Sequence, residues 1–175
     1  EFIKITSLLD NATDMPHKII FTGQHVDLCE CVSDYKIHIE DGTNRIDSVI
    51  KSIMNLDDRI FAGIQYVLVQ GDTTSALSMA IAAFNRNIPV IHLEAGLRTY
   101  NIHDPWPEEF NRQIISKIAK IHLCPTENNK RNLIKEGIKD GIYVTGNTGL
   151  DCIDIKNKDI TYNNDVILTI HRREN

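Results

Sequence analysis

The stretch YVLVQGDTTSALSMAIAAFNRNIPVIHLEAG, residues 66–96, decides the fold. It opens on the apolar run YVLV, of the kind carried by a strand buried on both faces of a parallel sheet. The polar turn QGDTTS follows. ALSMAIAAFNR, residues 76–86, then reads as a helix, and IPVIHL, residues 88–93, as the next buried strand. Strand, crossover helix and strand within about 30 residues make a βαβ unit, whose strands run parallel.

The same alternation continues on both sides. Upstream, residues 2–9 read as a helix with Phe2, Ile5, Leu8 and Leu9 on one side. KIIFTG, residues 18–23, reads as a strand ending at Gly23, and QHVDLCECV as the start of a short helix. Ile46, Val49, Ile50, Ile53 and Met54 follow a helical period, with Thr43 as the candidate cap. Downstream, Pro107 suits the first turn of a helix running to about Lys120. IHLC (121–124) is a strand; Thr126 caps a helix that reaches Glu136 and ends at Gly137. IYVTG (142–146) is a strand, with a helix expected near 148–155. The fold class this predicts is α/β, a doubly wound parallel sheet of Rossmann-like type. Its strand order is not readable from the pattern.

The polar stretch NKDITYNN, residues 157–164, reads as an interdomain linker, and DVILTI, residues 165–170, as the first strand of a new unit. The expected organisation is a first domain over 1–156, the linker 157–164, and the start of a second domain over 165–175. EFIKI at the beginning reads as helix interior, with no initiator Met or cap, and TIHRREN stops where a loop should begin. A piece of a longer protein, with a first strand missing, is therefore expected.

Composition narrows the function classes. The 175 residues are 42% hydrophobic, enough for a packed core, and 25% charged. A net charge of −5 gives no basic footprint, which argues against nucleic acid. No apolar run approaches the roughly 20 residues of a spanning helix, so no membrane association is expected. Cys29, Cys31, Cys124 and Cys152 fit no disulfide framework and no paired CxxC site. Reduced thiols in a cytoplasmic protein are the simplest reading. His25, Cys29 and Cys31 fall short of a tetrahedral ligand set, so no metal is expected.

In an open parallel sheet, ligands bind beyond the carboxyl ends of the strands. Asp72 lies just past strand 66–69 and Glu94 just past strand 88–93. Gln24 and His25 follow strand 18–22; Gly146, Asn147 and Thr148 follow strand 142–145; His171 follows strand 165–170. Each has a plainer reading. Asp72 before Thr73-Thr74-Ser75 could cap the helix. Glu108 and Arg112, spaced i, i+4, could form an ordinary surface ion pair. His25 and His171 could be loop histidines with local partners. Glu94 has no cap role, because Ala95-Gly96 starts no helix, and a carboxylate ending a buried strand needs a partner or a ligand. Carboxylates gathered in one crevice raise one another's pKa, so that one holds a proton while another lacks it, as acid–base work requires.

QGDTTSALSMAIAA, HLEAGLRTYNIHDPWPEEFNR, CPTENNKRNLIKEGI, TGNTGLD and TIHRREN, in this order and spacing, resemble the non-hydrolysing UDP-N-acetylglucosamine 2-epimerases over nearly the whole chain. The resemblance implies two facing Rossmann-like domains in the glycosyltransferase-B arrangement, of which this chain holds most of the first. It implies interconversion of UDP-N-acetylglucosamine and UDP-N-acetylmannosamine, with no cofactor, by a protein that is a homodimer at full length. The proton at sugar C2 is not acidic, so the implied route is elimination of UDP across C1–C2 and its re-addition. Asp72, Glu94 and Glu108 match the family's acid–base carboxylates, and His171 its histidine near the diphosphate. Lys4 and Arg112 match its active-site cations; Gln24, His25, Gln70 and Arg172 match substrate-binding positions. Which carboxylate serves which face of the sugar stays open.

The glycine–threonine–arginine–proline loop of the family has no counterpart here, nor has its proline–glycine–glutamine element after Gln24-His25. Activation by a second substrate molecule is therefore not carried over, and the 175-residue chain by itself is expected to be inactive. The intact WPEE block favours the non-hydrolysing branch over the hydrolysing one. A glycosyltransferase of the same architecture would need an acceptor. A non-catalytic nucleotide-sugar-binding module is the reading from a different class.

Overall fold

The computed structural model describes residues 2–12, 15–23 and 33–147, with the side chains of residues 2–4 outside that description. The expected short helix after Gly23, the helix near 148–155, the linker and the second-domain strand all lie outside the described residues.

The elements are α1 (Phe2–Asn11), β1 (Ile20–Phe21), β2 (Tyr35–Lys36), α2 (Arg45–Met54), a 3₁₀ turn (Asp58–Ile60), β3 (Val67–Gln70), α3 (Thr74–Asn85), β4 (Val90–Leu93), α4 (Glu108–Ile118), β5 (Ile121–Cys124), α5 (Glu127–Lys135) and β6 (Ile142–Val144). The class is α/β, as the alternation predicts, and every strand pair among the described residues is parallel. The main sheet runs in the order β3-β4-β5-β6, with Val67 opposite Val90, Ile91 opposite Ile121 and His122 opposite Ile142.

The single expected sheet is in two parts. β1 and β2 pair with each other, and no described strand joins them to β3. β1 is also shorter than the run 18–23 implies, because only Ile20 and Phe21 have a ladder partner. β2 carries no continuous apolar run; YKIHI, residues 35–39, instead alternates apolar and polar, a strand signal that the sequence reading passed over.

The core lies between the main sheet and the helices α2, α3 and α4, where Val49, Ile53, Leu77, Met79, Val69, Val90 and Ile115 are buried together. Ile53 and Ile115 are fully enclosed, and burying side chains of this size contributes about 1.5–3 kcal/mol each. α3 sits between α2 and α4 against β3. Its tolerance for three neighbours follows from its small residues: Ala80, Ala82, Ala83 and Ser78 are buried and allow close approach.

Two cap assignments differ from the sequence reading, each by one residue. Thr73, not Asp72, caps α3, its Oγ1 accepting the Ala76 amide at 3.2 Å. Asn44, not Thr43, caps α2, its Oδ1 accepting the Ile46 amide at 3.0 Å. In both cases the residue just before the first helical turn reaches the orphan amide two or three positions on, which the earlier residue cannot. Thr126 caps α5 as expected.

Gly96 joins the sheet to α5. Its φ is +88°, and a Cβ there would run into the Asn129 carbonyl of α5. Asn132 Nδ2 donates to the Gly96 carbonyl at 2.9 Å, so the turn after β4 is stitched to that helix.

Candidate active site

β3 and β4 end side by side, Gln70 opposite Leu93. Gly71 turns the chain at φ +68°, and Asp72 follows. Glu94 also sits in the left-handed region, at φ +64°. That conformation is uncommon for a residue with a side chain, and non-glycine outliers cluster at functional sites. A Cβ on Gly71 would lie 3.7 Å from Glu94 Oε2, so the Glu94 carboxylate leans over the turn that carries Asp72. Gln70, Leu93, Glu94, Pro125, Gly146 and Asn147 line a shallow, open depression at this rim. The strand ends β3, β4, β5 and β6 thus meet at one place.

α4 brings the remaining charge. Glu108 is its first residue, and the positive end of a helix dipole favours a carboxylate there. Glu108 Oε2 is shielded from solvent. Asn111 Nδ2 donates to the Asp72 carbonyl at 2.8 Å, fixing α4 to the β3 turn. Arg112 Nη1 lies 3.6 Å from Asp72 Oδ2.

The expected Glu108–Arg112 surface pair is not the one that forms. Arg112 is buried, and its Nε lies 2.8 Å from Glu109 Oε2, an ion pair whose N–H direction falls short of a hydrogen bond. The spacing i, i+3 serves as well as i, i+4 on a helix, and Glu109 is the carboxylate turned inward. Glu109 has no exposed side-chain surface. It accepts the amides of Thr99 at 3.0 Å and Tyr100 at 3.0 Å, and the Gln113 side-chain amide at 2.7 Å. Burial alone would push its pKa up. The Thr99 amide, Gln113, the Tyr100 amide and Arg112 outweigh that, and the net shift is downward. Asp72 moves the other way: burial raises its pKa, Arg112 opposes, and the negative charges of Glu108 and Glu109 add to the rise.

A second arginine fixes the loop between β4 and α4. Arg98 is fully enclosed and grips Glu136 of the α5 end with Nε at 2.6 Å and Nη2 at 2.9 Å. Nη2 also donates to Ser116 Oγ at 2.9 Å, and Nη1 to the Leu97 carbonyl at 2.7 Å. Beneath the site, His92 and His122 are cross-strand neighbours, both buried. A carbonyl can only accept, so His92 carries its hydrogen on Nε2 and donates to the Gly71 carbonyl at 2.8 Å. Burial pushes the His92 pKa down to about 4, with the Gly71 carbonyl opposing and His122 and Arg98 adding to the fall.

Of the sequence-predicted residues, Asp72, Glu94, Glu108, Arg112 and Gln70 therefore share one end of the sheet. Lys4 lies in α1, with its side chain outside the described residues. Gln24, His25, His171 and Arg172 lie outside the described residues altogether. Glu109, Arg98 and His92 are the residues the sequence reading missed. The doubled glutamate of WPEE was a signal, but nothing in the sequence says which of the two turns inward.

The family model of UDP-N-acetylglucosamine 2-epimerase matches residues 7–175. The chain belongs to the UDP-N-acetylglucosamine 2-epimerase family. A relative in Campylobacter jejuni named UDP-N-acetylglucosamine 2-epimerase is 40% identical over 160 residues, which is 85% of this chain and 42% of that protein. One of the same name in Salmonella borreze is 36% identical over 206 residues, covering all of this chain and 54% of its own. The aligned stretch is longer than this chain, so that epimerase carries segments this one lacks. The Neisseria meningitidis UDP-GlcNAc 2-epimerase, solved bound to UDP-GlcNAc, superposes with a TM-score of 0.66 at 40% identity, over 73% of this chain and 35% of that one. The chain spans about half the length of the curated epimerases it matches.

Proposed function

We propose that the protein to which this chain belongs is a non-hydrolysing UDP-N-acetylglucosamine 2-epimerase. It interconverts UDP-N-acetylglucosamine and UDP-N-acetylmannosamine without a cofactor. The observation that carries the reading is the meeting of Asp72, Glu94, Glu108 and Arg112 at the carboxyl ends of β3 and β4.

The chemistry follows from the substrate. No carbonyl in the sugar ring stabilises a carbanion at C2, so a bare deprotonation there is too costly. Removal of the C2 proton by a carboxylate together with breaking of the C1–O bond avoids it. The C–H electrons form a C1=C2 double bond and the UDP oxygen leaves with the C1–O pair. A UDP oxygen then re-forms the bond to C1 while a second acid delivers a proton to C2 on the opposite face. Carboxylates of differing proton affinity are the groups this needs, and the opposite directions in which Asp72 and Glu109 are shifted support that reading. Cations balance the charge that develops on the departing diphosphate. His171, Arg172 and Lys4 are the proposed partners of that diphosphate, with Gln70, Gln24 and His25 beside the substrate.

The test is product analysis of the full-length protein given UDP-N-acetylglucosamine. UDP-N-acetylmannosamine in equilibrium with substrate is the expected result. Accumulation of free N-acetylmannosamine with UDP would mean a hydrolysing enzyme, and no turnover at all would remove the catalytic reading.

A further inference from the structure

One cation lies between two carboxylates in this site, and the two do not hold it equally. Arg112 Nε is 2.8 Å from Glu109 Oε2, whereas Arg112 Nη1 is 3.6 Å from Asp72 Oδ2. Glu109 is completely enclosed, while the Asp72 side chain keeps 30% of its surface exposed. Glu109 cannot swing away, because both its oxygens are occupied by Thr99, Tyr100 and Gln113. Those partners also tie the loop that follows Glu94 to α4. An enclosed carboxylate with no counter-charge is strongly unfavourable, so Arg112 is committed to Glu109 first.

We propose that Glu109 is a positioning residue of the site: it takes up the charge of Arg112, so that Asp72 receives only the remainder. The proposal rests on the reading of Asp72 as a proton-transfer residue. Its consequence is electrostatic. An opposite charge within about 4–6 Å lowers a carboxyl pKa by about 1–3 units. Asp72 has such a neighbour in Arg112, and yet the net shift of its pKa is upward, led by its burial. The groups facing it are Arg112, Glu108 and Glu109 from α4, with the Glu94 carboxylate over Gly71 and the His92 ring on the Gly71 carbonyl. Removing the charge of Glu109 acts on Asp72 twice in the same direction. The repulsion from Glu109 disappears, and Arg112, without its first partner, is left to Asp72.

The experiment uses the full-length protein with ¹³C-labelled carboxyls, titrated by NMR as wild type and as Glu109→Gln, alongside the pH profile of kcat/KM. Wild type is expected to show Glu109 below the usual glutamate range and Asp72 above the usual aspartate range. In E109Q, Asp72 is expected to fall toward the usual aspartate range, and the limb of the rate profile that reports it moves with it. A loop-fixing role alone would leave the Asp72 titration in place. An unchanged or raised Asp72 value in E109Q overturns the proposal. So does a wild type in which Glu109 is raised or Asp72 lowered, a result that needs no variant to fold. A fall in Asp72 with a stationary rate profile keeps the positioning role and removes Asp72 from the proton transfer.

Discussion

Replacing Glu136 by Gln should destabilise the domain far more than an ordinary surface charge would. Arg98 donates to buried or half-buried acceptors: two oxygens of Glu136, Ser116 Oγ and the Leu97 carbonyl. The glutamine keeps the shape and one acceptor oxygen. It turns an NH₂ toward a guanidinium that has no exposed surface, and it leaves that charge uncompensated. Breaking a buried pair from one side costs about 3–5 kcal/mol. Glu136 retains 16% side-chain exposure, so water partly relieves the loss and the lower end, about 3 kcal/mol, is expected. For a domain of this size that is a fall in Tm of about 6–12 °C. Urea unfolding of wild type, E136Q and the double variant R98M/E136M is the assay. The double variant removes both charges and should recover most of the loss. An E136Q cost under about 1 kcal/mol, the scale of an exposed pair, would refute the reasoning, as would a double variant no better than the single one.

Acidification should weaken the fold through His92. Its folded pKa is depressed to about 4 from an ordinary 6.5, so its contribution is present above pH 6.5 and is lost as pH falls toward 4. The full loss is about 3 kcal/mol by linkage, and the slope of stability against pH over that window should flatten in His92→Asn. Gly96→Ala should cost several kcal/mol in thermal or urea unfolding, because the residue sits at φ +88° and its Cβ meets the Asn129 backbone. Asp72→Asn, Glu94→Gln and Glu108→Gln in the full-length protein should each lower kcat by about 10²–10⁴-fold while leaving unfolding midpoints near wild type; near-normal rates in all three would remove the assigned site.

The alternation of apolar runs with amphipathic segments made the parallel α/β class readable, because continuous runs such as 66–69 and 88–93 suit only strands covered on both faces. The positions of Asp72 and Glu94 at the strand ends followed from the same logic. What the sequence could not show was choice between near neighbours. Thr73 and Asp72 are both good cap residues, as are Asn44 and Thr43, and only the backbone turn selects one. Glu108 and Glu109 are chemically the same, and both lie within reach of Arg112 by helical spacing. The packing of α4 against the loop at Thr99 and Tyr100 turns Glu109 inward. Long-range partners were equally hidden: Arg98 and Glu136 are 38 positions apart and meet only after β5 and α5 are placed.

The central claim is that the C2–H bond is broken and remade during turnover, and solvent isotope exchange tests it most directly. The full-length protein is incubated with UDP-N-acetylglucosamine in deuterium oxide, and the recovered nucleotide sugars are read by mass and by the C2 proton signal. The account predicts deuterium at C2 in UDP-N-acetylmannosamine from the first turnovers, and in the substrate pool as equilibrium is reached. Epimerised product that keeps its original hydrogen at C2 would contradict it.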